Sequence, residues 1–60
     1  MELQTLLSKF DNNTRIQIEN INGVLYHGFL LNTPDKFRTS NLDVTWCEIR
    51  DGKLIIFVEY

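Results

Sequence analysis

One cysteine, one proline, one histidine and three glycines are all that this 60-residue chain holds of the residues that most often punctuate or staple small folds. A single thiol, Cys47, excludes an intramolecular disulfide, whereas secreted domains this short usually carry several. One histidine and one cysteine do not reach the three or four ligands of a zinc site. The carboxylates Asp11, Asp35 and Asp43 lack calcium-loop spacing, so no metal is expected. Gly23, Gly28 and Gly52 stand apart from one another, which rules out a phosphate-cradling loop, and no cofactor is expected. Charge of one sign is also lacking. The net charge is −2, and the domain as a whole carries no basic footprint for nucleic acid. No apolar run approaches the roughly 20 residues of a membrane span. The opening MELQTLLSKF has neither the basic leader nor the continuous apolar core of a signal peptide. The expectation is a cytoplasmic protein with no membrane association.

What is present is ordinary for a globular domain: 43% hydrophobic and 23% charged residues. No linker, repeat or low-complexity segment divides the chain, so residues 1–60 read as one small domain. A chain of this size buries only about 60% of the surface its unfolded form exposes, too little to enclose a cofactor cavity.

The organising stretch is the C-terminal one. Val44–Arg50 and Lys53–Tyr60 are apolar, β-branched runs separated by Asp51-Gly52, whose tolerance of positive φ suits a two-residue type I′ turn. Such a turn pairs Ile49 with Leu54, Cys47 with Ile56 and Thr45 with Val58 on one face. Val44, Trp46, Glu48, Arg50, Lys53, Ile55, Phe57 and Glu59 then share the other. Upstream, Leu3, Leu6, Leu7 and Phe10 recur at i, i+3, i+4 and i+7, an amphipathic helix over residues 2–10 that Asp11–Thr14 ends. Arg15–Asn20 alternates as a half-buried strand with Ile16 and Ile18 on one side. Asn22-Gly23 supplies a second hairpin turn, and Val24–Asn32 returns as a strand with Leu25, His27, Phe29 and Leu31 facing Ile16 and Ile18. Thr33 and Pro34 open a single helical turn as N-cap and first helical residue, and the long connection through Asn41 is the expected site of mobility.

The fold class is therefore α+β: an N-terminal helix packed on a four-stranded antiparallel sheet with hairpins at Asn22-Gly23 and Asp51-Gly52. The expected core is Leu3, Leu6, Leu7, Phe10, Ile16, Ile18, Leu25, Phe29, Cys47, Ile49, Leu54, Ile56 and Val58. In a simple meander Lys53–Tyr60 is a long apolar edge. Either the fourth strand lies beside the first, or two copies pair their fourth strands as a homodimer. The reading favours the dimer.

Across most of its length the chain also carries Leu7, Phe10-Asp11, Asn13-Thr14-Arg15-Ile16, Asn22-Gly23, Leu25-Tyr26-His27-Gly28 and Leu54-Ile55-Ile56. In this it resembles small uncharacterised proteins of phages and integrated mobile elements of Gram-positive bacteria, in which a helix ends near LxxFDxNTxI and LYxG follows Asn-Gly. The resemblance implies a phage or mobile-element origin. It implies no chemistry, because these motifs determine fold.

Few residues suggest function. His27, placed on the helix-covered face, reads as a core or rim residue rather than a catalyst, and Cys47 as a small buried hydrophobe. Gly28 in mid-strand marks a bulge or a close neighbour. Nothing points to an enzyme. Tyr26, Leu30, Trp46, Ile55 and Phe57 are assigned to the sheet face away from the helix. Isolated exposed apolar groups are normal there, but aromatic anchors ringed by mixed charges also suit a protein interface. The leading expectation is a small accessory protein that binds another protein. The alternative is a single-stranded nucleic-acid binder stacking bases on Trp46, Phe57 and Tyr26. The latter is disfavoured because Arg15, Arg50 and Lys53 are matched on that face by Glu19, Glu48 and Glu59.

Overall fold

A computed structural model describes residues 1–59, and Tyr60, the last residue of the expected fourth strand, lies outside the described residues. In chain order they form helix α1 (Leu3–Leu7), strands β1 (Arg15–Asn20) and β2 (Gly23–Phe29), a 3₁₀ turn (Leu30–Asn32), helix α2 (Asp35–Arg38), and strands β3 (Asp43–Arg50) and β4 (Lys53–Glu59). The strands make one four-stranded sheet in the order β2-β1-β4-β3. β1 and β4 run parallel, while both hairpins are antiparallel. The architecture is α+β with an open sheet, and the sheet is mixed rather than antiparallel as expected. The composition of β4 explains why. Leu54, Ile55, Ile56 and Val58 are all buried: the core covers Leu54, Ile56 and Val58 on one face, and neighbouring strands on both edges shelter Ile55 on the other. With β1 on one side and β3 on the other, β4 has no free edge. The expected pairing of two copies through Lys53–Tyr60 thereby loses its premise, and the edges are β2 and β3.

The two hairpins hold different amounts of the expected register. Asp51 and Gly52 both have positive φ, 53° and 75°, and close a two-residue turn at Arg50↔Lys53. Ile49↔Leu54 and Cys47↔Ile56 follow as expected. A bulge between Val44 and Trp46 then brings Val44, rather than Thr45, opposite Val58. In the first hairpin the turn residues are Ile21 and Asn22, between Asn20↔Gly23, and not Asn22-Gly23. The buried Asn20 side chain sets this turn: its Oδ1 accepts a bond of 2.8 Å from the Asn22 N–H. Beyond Glu19↔Val24 a bulge leaves Leu25 as an extra residue in β2, and the ladder resumes at Ile18↔Tyr26. One extra residue exchanges the faces of all that follows. Tyr26 and Gly28 therefore share the face of Ile18 and Ile16, while His27 and Phe29 are turned to the opposite face, the reverse of the expectation.

The buried cluster lies on the Ile16–Ile18 side of the sheet. It joins Leu3, Leu6 and Leu7 of α1 with Ile16, Ile18, Leu54, Ile56 and Val58, and adds Leu30 and Phe37 from the β2–β3 connection. Phe10, Leu25 and Val44 pack at its margin. Three expected core residues are not in it. Phe29 is 43% exposed and Ile49 is 73% exposed. Cys47 is exposed as well. Phe29 left the core through the bulge. Cys47 and Ile49 are on the core side of the sheet, but on its edge strand, where no described residue covers them.

α1 is shorter than the expected 2–10. After Leu7 the chain tightens, with the N–H groups of Lys9 and Phe10 bonding Leu6 and Leu7 carbonyls three residues back. Its first N–H groups find partners in the β2–β3 connection: Leu3 donates to the Leu42 carbonyl at 2.8 Å and Gln4 to that of Ser40 at 2.9 Å. Those bonds tie down the segment for which mobility was expected. Pro34, not Thr33, is the N-cap of α2. The Thr33 side chain is buried and turns back toward the Phe29 carbonyl.

Candidate functional site

With the helices on one side, the other face of the sheet lies open. Strand register arranges its side chains in three rows running across β2, β1, β4 and β3. The first row is Phe29, Arg15, Lys53 and Arg50. Behind it stand His27, Gln17, Ile55 and Glu48, and behind those Val24, Glu19, Phe57 and Trp46.

Trp46 and Phe57 are direct cross-strand neighbours, and their rings stack with centroids 5.9 Å apart and planes 5° from parallel. Trp46 remains 44% exposed and Phe57 is half-buried. The Thr45 hydroxyl donates to the Phe57 carbonyl at 3.1 Å beside the bulge. Ile55, one row forward, is 6% exposed: it sits on an interior strand between Gln17 and Glu48 and forms an apolar floor rather than a projecting contact.

Charge on this face is segregated. The cations occupy the first row, and Glu48 and Glu19 lie in the rows behind. Arg15 places its guanidinium 5.3 Å from the centre of the Phe29 ring. Arg50 donates to Glu48, whose hydrogen bond and charge raise the arginine pKa further above its ordinary value. Gln17 donates through Nε2 to Glu19 Oε2 at 2.8 Å. Lys53 is half-buried in the row between the two arginines. Two shallow hollows flank the face. One of about 200 Å³ is lined by Arg15, His27, Phe29 and Lys53. The other, of about 230 Å³, is lined by Ile21, Thr45, Phe57 and Glu59. Both fall below the roughly 300 Å³ at which small-molecule pockets begin.

Of the five residues assigned to this face from sequence, the structure brings together Trp46, Ile55 and Phe57. Tyr26 lies on the opposite face, opposite Ile18, and its hydroxyl donates to the Phe29 carbonyl at 2.8 Å. Gly28 accommodates that hydroxyl: a Cβ there would stand 2.8 Å from it, at a φ of +149° that side chains rarely adopt. The close neighbour anticipated at Gly28 is thus Tyr26 itself. Leu30 is 2% exposed and belongs to the core, because β2 ends at Phe29 and the 3₁₀ turn folds Leu30 inward. Phe29 and His27 are the residues that sequence reasoning missed on the open face. The bulge at Leu25 moved them, and no turn residue announces it. Among the described residues, no three His, Cys, Asp or Glu side chains come together as a metal site.

The chain matches no family model, no curated protein and no solved structure.

Proposed function

We propose that this protein is a non-enzymatic binding module that docks a protein partner on the open face of its sheet. The stacked Trp46–Phe57 pair is the anchor, and the Ile55 floor and the surrounding charges form the rim. The observation that carries this reading is the stack itself: two aromatic rings held parallel on an uncovered face, one of them 44% exposed. Rigid aromatic area of this kind dominates protein interfaces at little entropic cost. The resemblance in sequence adds a phage or mobile-element origin to the proposal, and with it action in the cytoplasm of a host. No helix among the described residues is long and apolar enough to cross a membrane.

The cation row favours a second reading, binding of single-stranded nucleic acid. The face supports it less well. Arg15 is engaged with Phe29 and Arg50 with Glu48, so among the described residues Lys53 is the one cation of the row outside such a contact. The stacking pair is two rows from the cations, roughly 13 Å along the strands, with Glu48 and Gln17 between. A phosphate backbone tracking the cations would leave the rings unused.

Two measurements decide between them. Capture from a host lysate is expected to retain a defined protein in stoichiometric amount, and to lose it with Trp46→Ala or Phe57→Ala. Fluorescence anisotropy with labelled single-stranded DNA and RNA at low salt is expected to show no binding. Micromolar, salt-sensitive association lost in Trp46→Ala would overturn the protein-binding reading.

A further inference from the structure

The edge of β3 is already partly used, by the chain itself. Residues 1–3 run antiparallel to residues 42–44: Leu3 N–H donates to the Leu42 carbonyl, Glu2 bridges Asp43, and Val44 N–H donates to the Met1 carbonyl at 2.8 Å. This short segment occupies a strand position beside β3 and ends opposite Val44. From Trp46 to Arg50 the same lane is empty among the described residues.

The backbone of that stretch is poised for pairing. The two-residue turn makes Arg50↔Lys53 a mutually hydrogen-bonded pair, so Glu48 and Trp46 also direct their backbone groups toward β4. Cys47 and Ile49 therefore direct theirs away from the sheet. The outward N–H of Val44, on the far side of the bulge, fits the same alternation. Edges are usually guarded by charged side chains, proline or bulges. Trp46–Arg50 lies past the Val44/Trp46 bulge and has no proline, its two charges pair with each other as the Glu48–Arg50 ion pair, and Ile49 is 73% exposed. The other edge, β2, is broken by its Leu25 bulge and by Gly28 at φ +149°.

We infer that the partner is bound by strand addition: an extended segment of another protein pairs antiparallel with Trp46–Arg50, in line with the lane that residues 1–3 begin. This rests on the protein-binding reading and names the form the partner takes. A second copy of this chain does not fit the lane. About a two-fold axis, β3 keeps its faces only in registers that centre on a residue. Of the registers clear of Met1, the one centred on Glu48 places like charges directly opposite, and the one centred on Ile49 pairs only residues 48–50 before the Asp51-Gly52 turn of the second copy ends the ladder. The register centred on Cys47 drives Arg50 of the second copy into the place of Met1. The segment that fits is about five residues long, free of proline, and alternating. Apolar side chains lie opposite Cys47 and Ile49 on the helix side. On the open face, a polar or basic residue lies opposite Glu48 and an aromatic one opposite Trp46.

The test selects random linear nonapeptides displayed on phage against the immobilised full chain, then measures enriched synthetic peptides by anisotropy. The enriched peptides are expected to alternate and to lack proline. N-methylation of the peptide amides that face β3 is expected to weaken binding by about tenfold or more, and N-methylation of the intervening amides to leave it unchanged. Ile49→Pro removes the outward N–H of the protein, a position where an edge strand tolerates proline, and is expected to weaken binding likewise. If that variant melts, the peptide N-methylation series carries the same test on the unaltered protein. Failure to enrich any peptide, or peptides indifferent to which amides are methylated, overturns strand addition. Peptides indifferent to methylation but lost with Phe57→Ala overturn it while supporting the open face as the docking surface.

Discussion

Strands β3 and β4 are the two arms of one hairpin, joined by Asp51-Gly52, and they occupy opposite environments. In β4, four of the seven residues are buried and two more are half-buried. In β3, every residue is exposed except Val44, which is half-buried. They pair with each other along nearly their whole length, but β4 also pairs with β1 on its far side whereas β3 is an edge strand. Their side-chain order accounts for which of the two takes the interior place. Leu54 to Val58 is apolar at every position, and a strand apolar on both faces is favoured where neighbours flank both edges, because their side chains shelter even the face that no helix covers. β3 mixes Glu48, Arg50 and Asp43 with Trp46, Cys47 and Ile49, and such a strand tolerates the rim. Apolar content alone did not decide burial; continuity of the apolar run did.

Replacement at facing positions of the two strands breaks or sharpens this contrast. The largest effect is expected from Ile56→Ala, a fully buried side chain at the centre of the cluster. It is expected to cost about 2–5 kcal/mol in denaturant unfolding, close to the whole stability of a domain this small. A loss well under 1 kcal/mol would show that β4 is not the interior strand. Next comes the hinge between the strands. Gly52 sits at φ +75° with nothing near its absent Cβ, so Gly52→Ala adds backbone strain without a clash. About 1 kcal/mol of destabilisation is expected, read as a lower urea midpoint with unchanged slope. The smallest effect is expected opposite Leu54, where Ile49→Ala should change stability by no more than about 0.5 kcal/mol. The neighbouring thiol offers a check without mutation. Cys47 is expected to react with a colorimetric thiol reagent in the native protein about as completely as in the denatured one. A thiol that reacts only after unfolding would return Cys47 to the core and remove the distinction between the strands.

Much of the open face was legible in the residues, and the part that was not has one cause. Trp46, Ile55 and Phe57 were placed together because a two-residue Asp-Gly turn dictates parity on both sides of it. Tyr26, His27 and Phe29 were misplaced because parity in the first hairpin depends on a bulge. A bulge is stabilised by tertiary fit, here by Gly28 admitting the Tyr26 hydroxyl and by Leu30 reaching the core, rather than by a local residue preference. Leu30 itself read as a continuation of β2, yet Thr33-Pro34 stops that strand early enough for the chain to turn Leu30 inward.

The sequence by itself determined the elements that rest on neighbouring residues: the leucine stripe of α1, the alternation of β1, the type I′ turn at Asp51-Gly52 and the apolar run of β4. Each depends on propensities and periodicities that act within a few residues. Strand order, the parallel pairing of β1 with β4, the face on which His27 and Phe29 lie, and the exposure of Cys47 and Ile49 were decided only in the tertiary structure. These depend on which surfaces remain to be covered once all elements are present. Sixty residues supply one helical layer, and it covers one side of the interior strands without reaching the rim of the sheet.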